Sequence, residues 1–356
     1  MSGPTFRAST PPASPGQDST YRAFTVTGRR QFTLVERERH EPSPGQVRIR
    51  VEACGVCHTD ILAVDGLRPD PSAPVVPGHE IIGVIEAAGD GVDPSWRIGD
   101  RVGVGFLGGQ DNACESCRRG DFVNCSDQPQ TGTAVDGGYA EVAYARATGL
   151  VRIPPGLDPL AGAPLLCAGL TVYNALISAS ARPGALVAVQ GLGGLGHLGV
   201  QYARALGHRV VAVARGGAKA ELAAQVGAHH YIDSTRTDPG AELRRLGGAA
   251  VIVATAASGA SMSPLVQGLG RRGELIVVGA APDPIQVTTS DLIFGEHVMR
   301  GSLTGTAIEN EDNLRFALDH GIRSHNEVFP LSEAPKAYQH MLSGDARFRV
   351  VLDSTK

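Results

Sequence analysis

Residues 185–214 read ALVAVQGLGGLGHLGVQYARALGHRVVAVA, and the glycine-rich stretch QGLGGLG inside them constrains the fold more than any other part of the chain. Gly191, Gly193 and Gly196 stand in G-x-G-x-x-G spacing. The run before them reads as a strand, HLGVQYARALG after them as a helix, and RVVAVA as a second strand, which together make a βαβ unit. In that setting each glycine has a physical task. One allows a tight turn, one lets the backbone approach a pyrophosphate, and one lets the helix pack on the strand, with the phosphates at the helix N-terminus. Elsewhere the spacing is an ordinary loop pattern; here it marks a dinucleotide site. HHYID, AVIVATA and ELIVVGA recur as strand candidates between helix-compatible stretches such as KAELAAQVG. The expected architecture is therefore an α/β fold with a doubly wound parallel sheet.

An acid at the end of the second strand would bind the adenosine ribose of NAD, about 20 residues on from the glycines. The strand ends VAVARGG, so that place falls on Ala214, followed by Arg215. The carboxylate that would repel a 2'-phosphate is missing and a guanidinium able to bind one is adjacent, which favours NADP(H) over NAD(H).

The rest of the chain reads differently. From about 21 to 165 it is loop-rich with short strand-like runs: VRIRVEA (47–53), alternating as a half-buried strand does, then IIGVIEAAG, DRVGVG and GYAEVAYA. At 356 residues two domains are expected. One spans 21–167 and returns at 303–356; the other, the nucleotide-binding one, spans 168–302. Residues 1–20, rich in Ser, Thr and Pro, are expected to be a disordered leader. A net charge of -4 with no dense Lys/Arg run argues against nucleic acid and anionic membranes as partners. No apolar run reaches the ~18 residues of a membrane span. The expectation is a cytoplasmic protein acting on small molecules.

Six cysteines in such a chain suggest metal binding or structural thiols rather than disulfides. Cys54 and Cys57 lie together, Cys167 stands alone, and GGQDNACESCRRGDFVNC (108–125) carries Cys114, Cys117 and Cys125. A closed structural zinc takes four protein ligands, whereas a catalytic one takes three and keeps a position open. Three cysteines alone do not say which.

CGVCHTD (54–60), PGHE (77–80), the three-cysteine lobe, LLCAGLTVYNAL (165–176) and GLGGLGH (191–197) occur in the order found in zinc-dependent medium-chain alcohol dehydrogenases. From about residue 21 onward the chain resembles that family, most of all its bacterial and cinnamyl-alcohol branches. The resemblance implies a Rossmann domain joined to a β-rich GroES-like catalytic domain. It also implies hydride transfer between an alcohol, or its carbonyl, and a nicotinamide cofactor, with zinc as Lewis acid.

Carried over residue by residue, the resemblance makes Cys57, rather than Cys54, a catalytic zinc ligand together with His79 and Cys167, and leaves Cys54 a small buried thiol. Asp60 orients His79, and Glu80 is the acid behind the metal. Thr59 takes the alcohol proton and passes it to the nicotinamide ribose. A histidine three residues further on often completes that relay; here the position is Leu62.

His58 and Arg349 correspond to residues that contact pyrophosphate, and Thr171 should lie near the nicotinamide. Gly194, Leu195 and Val278 complete the cofactor set, and Phe106 matches an aromatic wall of the substrate pocket. Relatives carry four cysteines in the lobe. Their spacing puts the missing fourth ligand at Asp111, beside Cys114, Cys117 and Cys125, as a structural zinc site.

His229 and His230 read as structural. The family's edge-strand pairing would use residues near 298–303, giving a homodimer or homotetramer. The competing readings are a zinc-free quinone reductase, a non-catalytic sensor, and a biosynthetic C=N or C=C reductase, the last favoured by Leu62.

Overall fold

The computed structural model describes residues 19–356 apart from Pro69 and Pro71, so the expected leader lies almost entirely outside the described residues. The first strand, β1 (Thr20–Gly28), forms an antiparallel hairpin with β2 (Gln31–Glu38). β3 (Gln46–Val56) and β4 (Glu80–Ala88) are the centre of a seven-stranded sheet. β5 (Arg101–Val104) pairs with β4, β6 (Val142–Arg146) with β3, and β7 (Leu150–Arg152) with β5. VRIRVEA is less exposed than its alternation predicts, because Arg48 is buried as well as its apolar neighbours. Its guanidinium donates to the carbonyl of His40 at 2.9 Å, so a polar residue is accommodated inside.

The second sheet is parallel throughout. β8 (Leu186–Gln190), β9 (Arg209–Ala214), β10 (His230–Asp233), β11 (Ala249–Ala254), β12 (Leu269–Val277) and β13 (Val298–Gly301) lie in the order β10-β9-β8-β11-β12-β13. Central β8 is buried at every residue, as a strand covered on both faces must be. The strand order reverses between β8 and β11, and the glycine turn leaves β8 at that switch point, where such sheets bind ligands.

After β13 the chain forms a helix, Ala307–Asp319, and rejoins the first sheet through β14 (Asn326–Pro330) and β15 (Arg349–Asp353). β15 pairs antiparallel with β3, Val350 opposite Val56, while β3 pairs with β4, Gly55 opposite Glu80. These two registers bring Cys57, Glu80 and Arg349, distant in sequence, to one end of the sheet. A continuous core of Ala53, Ile82 and Val151 with Leu166, Val172, Val187 and Leu198 runs from one sheet to the other.

Candidate active site

Cys57 follows the last residue of β3, His79 immediately precedes β4, and Cys167 immediately precedes the helix Ala168–Ile177. One ligand atom from each, with a Glu80 oxygen, lies within 4.8 Å of every other, and all four residues are buried. Gly55 is required here: a Cβ on it would stand 1.8 Å from Glu80 Oε2. Asp60 holds the imidazole from behind. Its Oδ1 lies 3.0 Å from His79 Nδ1, and its Oδ2 accepts from the Cys57 backbone N–H at 3.0 Å and from the Tyr139 hydroxyl at 2.8 Å.

The two thiols are shifted in opposite directions. A hydrogen bond from Cys167, aided by His79, holds Cys57 well below the ordinary thiol range, and the same bond together with burial pushes Cys167 well above it. Burial works against a charged His79, but Asp60 and Cys57 outweigh it and raise the ring. Burial also pushes Glu80 upward against the pull of Arg349, whose Nη2 lies 2.6 Å from Glu80 Oε2.

Both ring nitrogens of His79 are buried without a hydrogen bond, Nδ1 standing 3.0 Å from Asp60 Oδ1 as an ion-pair contact and Nε2 with no such neighbour. A partnerless imidazole nitrogen facing two sulfurs is costly without a ligand, and this donor set suits zinc. Cys57, His79 and Cys167 would hold such an ion. Phe106 stands edge-on to His79, ring centroids 5.3 Å apart.

Thr59 is half-buried and His58 exposed, both in the short turn His58–Asp60 that follows Cys57. Leu62 is half-buried one turn on. Cys54 is buried on the strand, outside the ligand group.

The glycine turn has the expected shape. Gly191 has φ +90°, and a Cβ on Gly196 would fall 1.7 Å from the Gly191 carbonyl, so neither can carry a side chain. Gly193 has nothing within 4 Å of a Cβ position, leaving its backbone open to a ligand. Leu195 sits at the cap of the helix Gly196–Ala205. Gly194 lies against Arg349, whose Cδ and Nη1 are 3.0 and 3.1 Å from a Cβ built there. Arg349 is thus buried between the turn and Glu80 instead of facing solvent.

Thr171 is buried in the helix after Cys167, and Val278 is half-buried, its N–H donating to the Ala254 carbonyl. Arg215 is exposed just past β9. Sequence reasoning missed Lys219, whose Nζ donates to the Leu192 carbonyl at 2.9 Å. Burial lowers its pKa, and the charges of Arg347 and Arg215 add to the effect, so three cations share this edge of the turn. A cation four residues after Arg215 was the only sequence signal. His229 is tied to the β9 backbone, accepting from the Val210 N–H at 2.8 Å, and His230 is exposed.

Asp111, Cys114, Cys117 and Cys125 form a second group with ligand atoms within 4.8 Å of one another. Asp111 Oδ1 accepts from the backbone N–H groups of Ala113 and Cys114 at 2.8 and 3.0 Å. The Asp111 N–H points at Cys125 Sγ and the Cys117 N–H at Cys114 Sγ, at 3.4 and 3.5 Å. The Cys117 N–H lowers the Cys114 thiol to about 7. Burial, with the hydrogen bond to Asp111, pushes the Cys117 thiol up to about 12, so the backbone donors favour a thiolate at Cys114 while Cys117 would give up its proton only to a metal.

A nucleotide turn at the switch point, joined to a buried group of two sulfurs and an imidazole, defines a metal-assisted nicotinamide dehydrogenase. Residues 43–155 match the alcohol dehydrogenase GroES-like domain and residues 194–319 the zinc-binding dehydrogenase domain. Alcohol dehydrogenase notN of Aspergillus sp. (strain MF297-2) is 43% identical over 312 residues, covering 87% of this chain and 91% of the relative. Cinnamyl alcohol dehydrogenase from Sorghum bicolor superposes with a TM-score of 0.85 at 30% identity, over 94% of this chain and 97% of that one. CAD from Helicobacter pylori, complexed with NADP(H), gives 0.84 at 28% identity, over 95% and 99%.

The chain belongs to the zinc-dependent medium-chain alcohol dehydrogenase family, with a Rossmann sheet joined to a GroES-like domain. It is an oxidoreductase acting on alcohols, and nothing in these relatives favours C=N or C=C reduction. Among the described residues no single helix is long and apolar enough to cross a membrane.

Proposed function

We propose that Cys57, His79 and Cys167 hold the catalytic zinc, and that hydride passes between the alcohol carbon and NADP(H) bound over the glycine turn. The observation that carries this reading is the buried group of two thiols and a partnerless imidazole nitrogen within 4.8 Å of one another. Zinc bound there supplies a Lewis acid that acidifies an alcohol or polarises a carbonyl. The chain's own residues do the rest. Asp60 keeps the proton of His79 on Nδ1, leaving Nε2 as a donor atom. Thr59, two residues from Cys57, accepts the alcohol proton and passes it to the ribose. Leu62 offers no onward acceptor, so the proton leaves through water or another group. Phe106 walls the alcohol side of the pocket.

The glycine turn and Arg349 take the pyrophosphate, with His58 at its outer side, and Thr171 and Val278 border the nicotinamide. Ala214 in place of an acid and the cations Arg215 and Lys219 suit a 2'-phosphate. Asp111 and the lobe cysteines hold a structural zinc. The six free cysteines suit a reducing compartment, so the proposed location is the cytoplasm. Two copies are proposed to pair through β13.

Metal analysis with steady-state kinetics tests the reading. Two zincs per chain are expected, with Cys167→Ala keeping one and losing alcohol oxidation. A chain whose Cys167→Ala variant still oxidises alcohols defeats the mechanism. Arg215→Asp should reduce kcat/KM with NADP by about tenfold or more and spare NAD, since it exchanges a phosphate-binding charge for a repelling one. Wild-type preference for NAD would overturn the cofactor choice.

A further inference from the structure

We propose that Tyr139 is a positioning residue for His79, gripping that side chain through Asp60 and its backbone through Pro77 and Gly78. The inference rests on the reading of Cys57, His79 and Cys167 as zinc ligands. Tyr139 is fully buried. Packing alone would be served by phenylalanine, but a buried hydroxyl must find a partner. The partner it finds is Asp60 Oδ2, 2.8 Å away. That oxygen also accepts the Cys57 N–H at 3.0 Å, so two donors hold it and the remaining oxygen, Oδ1, stands 3.0 Å from His79 Nδ1. With one donor removed, a fully buried carboxylate has a single bond resisting rotation away from the imidazole.

The backbone completes the grip. The Tyr139 N–H donates to the Pro77 carbonyl and the Gly138 N–H to the Gly78 carbonyl, both at 3.0 Å, so the two residues before His79 are laced to the two ending at Tyr139. The ring also covers Gly78, where a Cβ would lie 2.5 Å from Tyr139 Cδ1, and Gly78 itself has φ +98°. The Tyr139 carbonyl accepts the Phe24 N–H at 2.9 Å, anchoring the arrangement to β1. Residues that orient a ligating histidine change metal retention when altered, by about 10- to 100-fold for direct partners. Tyr139 acts one bond further out, so the lower end of that range applies.

The test is the rate at which the zinc-loaded, full-length chain gives zinc to a coloured chelator. Tyr139→Phe should release one of its two zincs about tenfold faster, leaving the other, in the lobe, at the wild-type rate. In an Asp60→Asn background, Tyr139→Phe should add nothing, because the path through Asp60 is already cut. Equal acceleration in both backgrounds, or wild-type release from Tyr139→Phe, overturns the inference. Should Tyr139→Phe not fold, 3-fluorotyrosine at position 139 keeps the shape with a stronger donor and should slow the same phase; an unchanged rate then overturns it. A wild-type chain holding zinc in the lobe alone overturns the ligand reading and this inference with it, whereas a two-zinc chain indifferent to Tyr139 overturns only this one.

Discussion

His197 is fully buried at the start of the helix after the glycine turn, and its two ring nitrogens have opposite duties. Nδ1 lies 2.9 Å from the Gly193 carbonyl and so carries the proton, while Nε2 accepts the His325 N–H at 3.3 Å. A second proton on the ring would face that N–H, and burial, with the charge of Arg349, pushes the pKa down to about 3. An unfolded histidine titrates near ~6.5. Between the two values the unfolded chain binds the extra proton, so stability is complete above about 6.5 and falls with pH by up to ~1.4 kcal/mol per unit. His197→Asn should therefore show a shallower loss of melting temperature than wild type between pH 6.5 and 5; parallel curves would rule out this source. The same scale shows why some residues were legible and others not. That Cys57, His79 and Cys167 come together was readable from their residue types within the CGVCHTD, PGHE and LLCAGLTVYNAL motifs. Tyr139 reads as an apolar strand residue because its partner lies 79 positions earlier, and Arg349 finds Glu80 across 269. Such partners are set by strand register, which local sequence does not display.

The lobe between β5 and β6 separates two roles of one side chain. Asp111 Oδ1 closes a turn by accepting two backbone N–H groups, and the carboxylate belongs to the ligand group of the three cysteines. The proposed second role came from laying the family spacing on the sequence; the first needed the folded turn. Asp111→Asn keeps an acceptor oxygen but removes the charge that a divalent ion would meet, whereas Asp111→Ala removes both. The asparagine variant should lose the lobe zinc while keeping more of the melting temperature than the alanine variant, with zinc counted by native mass spectrometry. An asparagine variant that keeps two zincs would make Asp111 a turn residue only. The nucleotide sheet was legible at this scale for a simpler reason. Its strands are short apolar runs bounded by glycines, and a parallel sheet buried on both faces demands that pattern. The first sheet was harder to delimit, since it is completed by β14 and β15 from the far end of the chain.

At the scale of the whole molecule the outer edge of the parallel sheet stands open. Among the described residues β13 pairs with β12 on one side only. Val298 and Met299 on it, with nearby Leu303, are 45%, 41% and 54% exposed, and Phe294 just before it is 80% exposed. Arg300, the charged residue that could blunt the edge, instead turns toward Glu274 and Ser178, at 3.2 and 3.0 Å. An uncovered strand with apolar neighbours and its charge drawn inward is a surface that another strand can extend. The proposed two-fold pairing of β13 with its copy would continue both parallel sheets into one and cover these side chains. The pairing predicts twice the mass of one chain in light scattering and a melting temperature that rises with protein concentration. Val298→Lys combined with Met299→Lys sets like charges facing one another across the two-fold axis, so the mass should fall to that of one chain. Both positions lie outside the metal group, so the zinc count should not change. A wild-type chain that is monomeric at micromolar concentration, or a double-lysine variant that remains paired, would place the contact elsewhere or remove it.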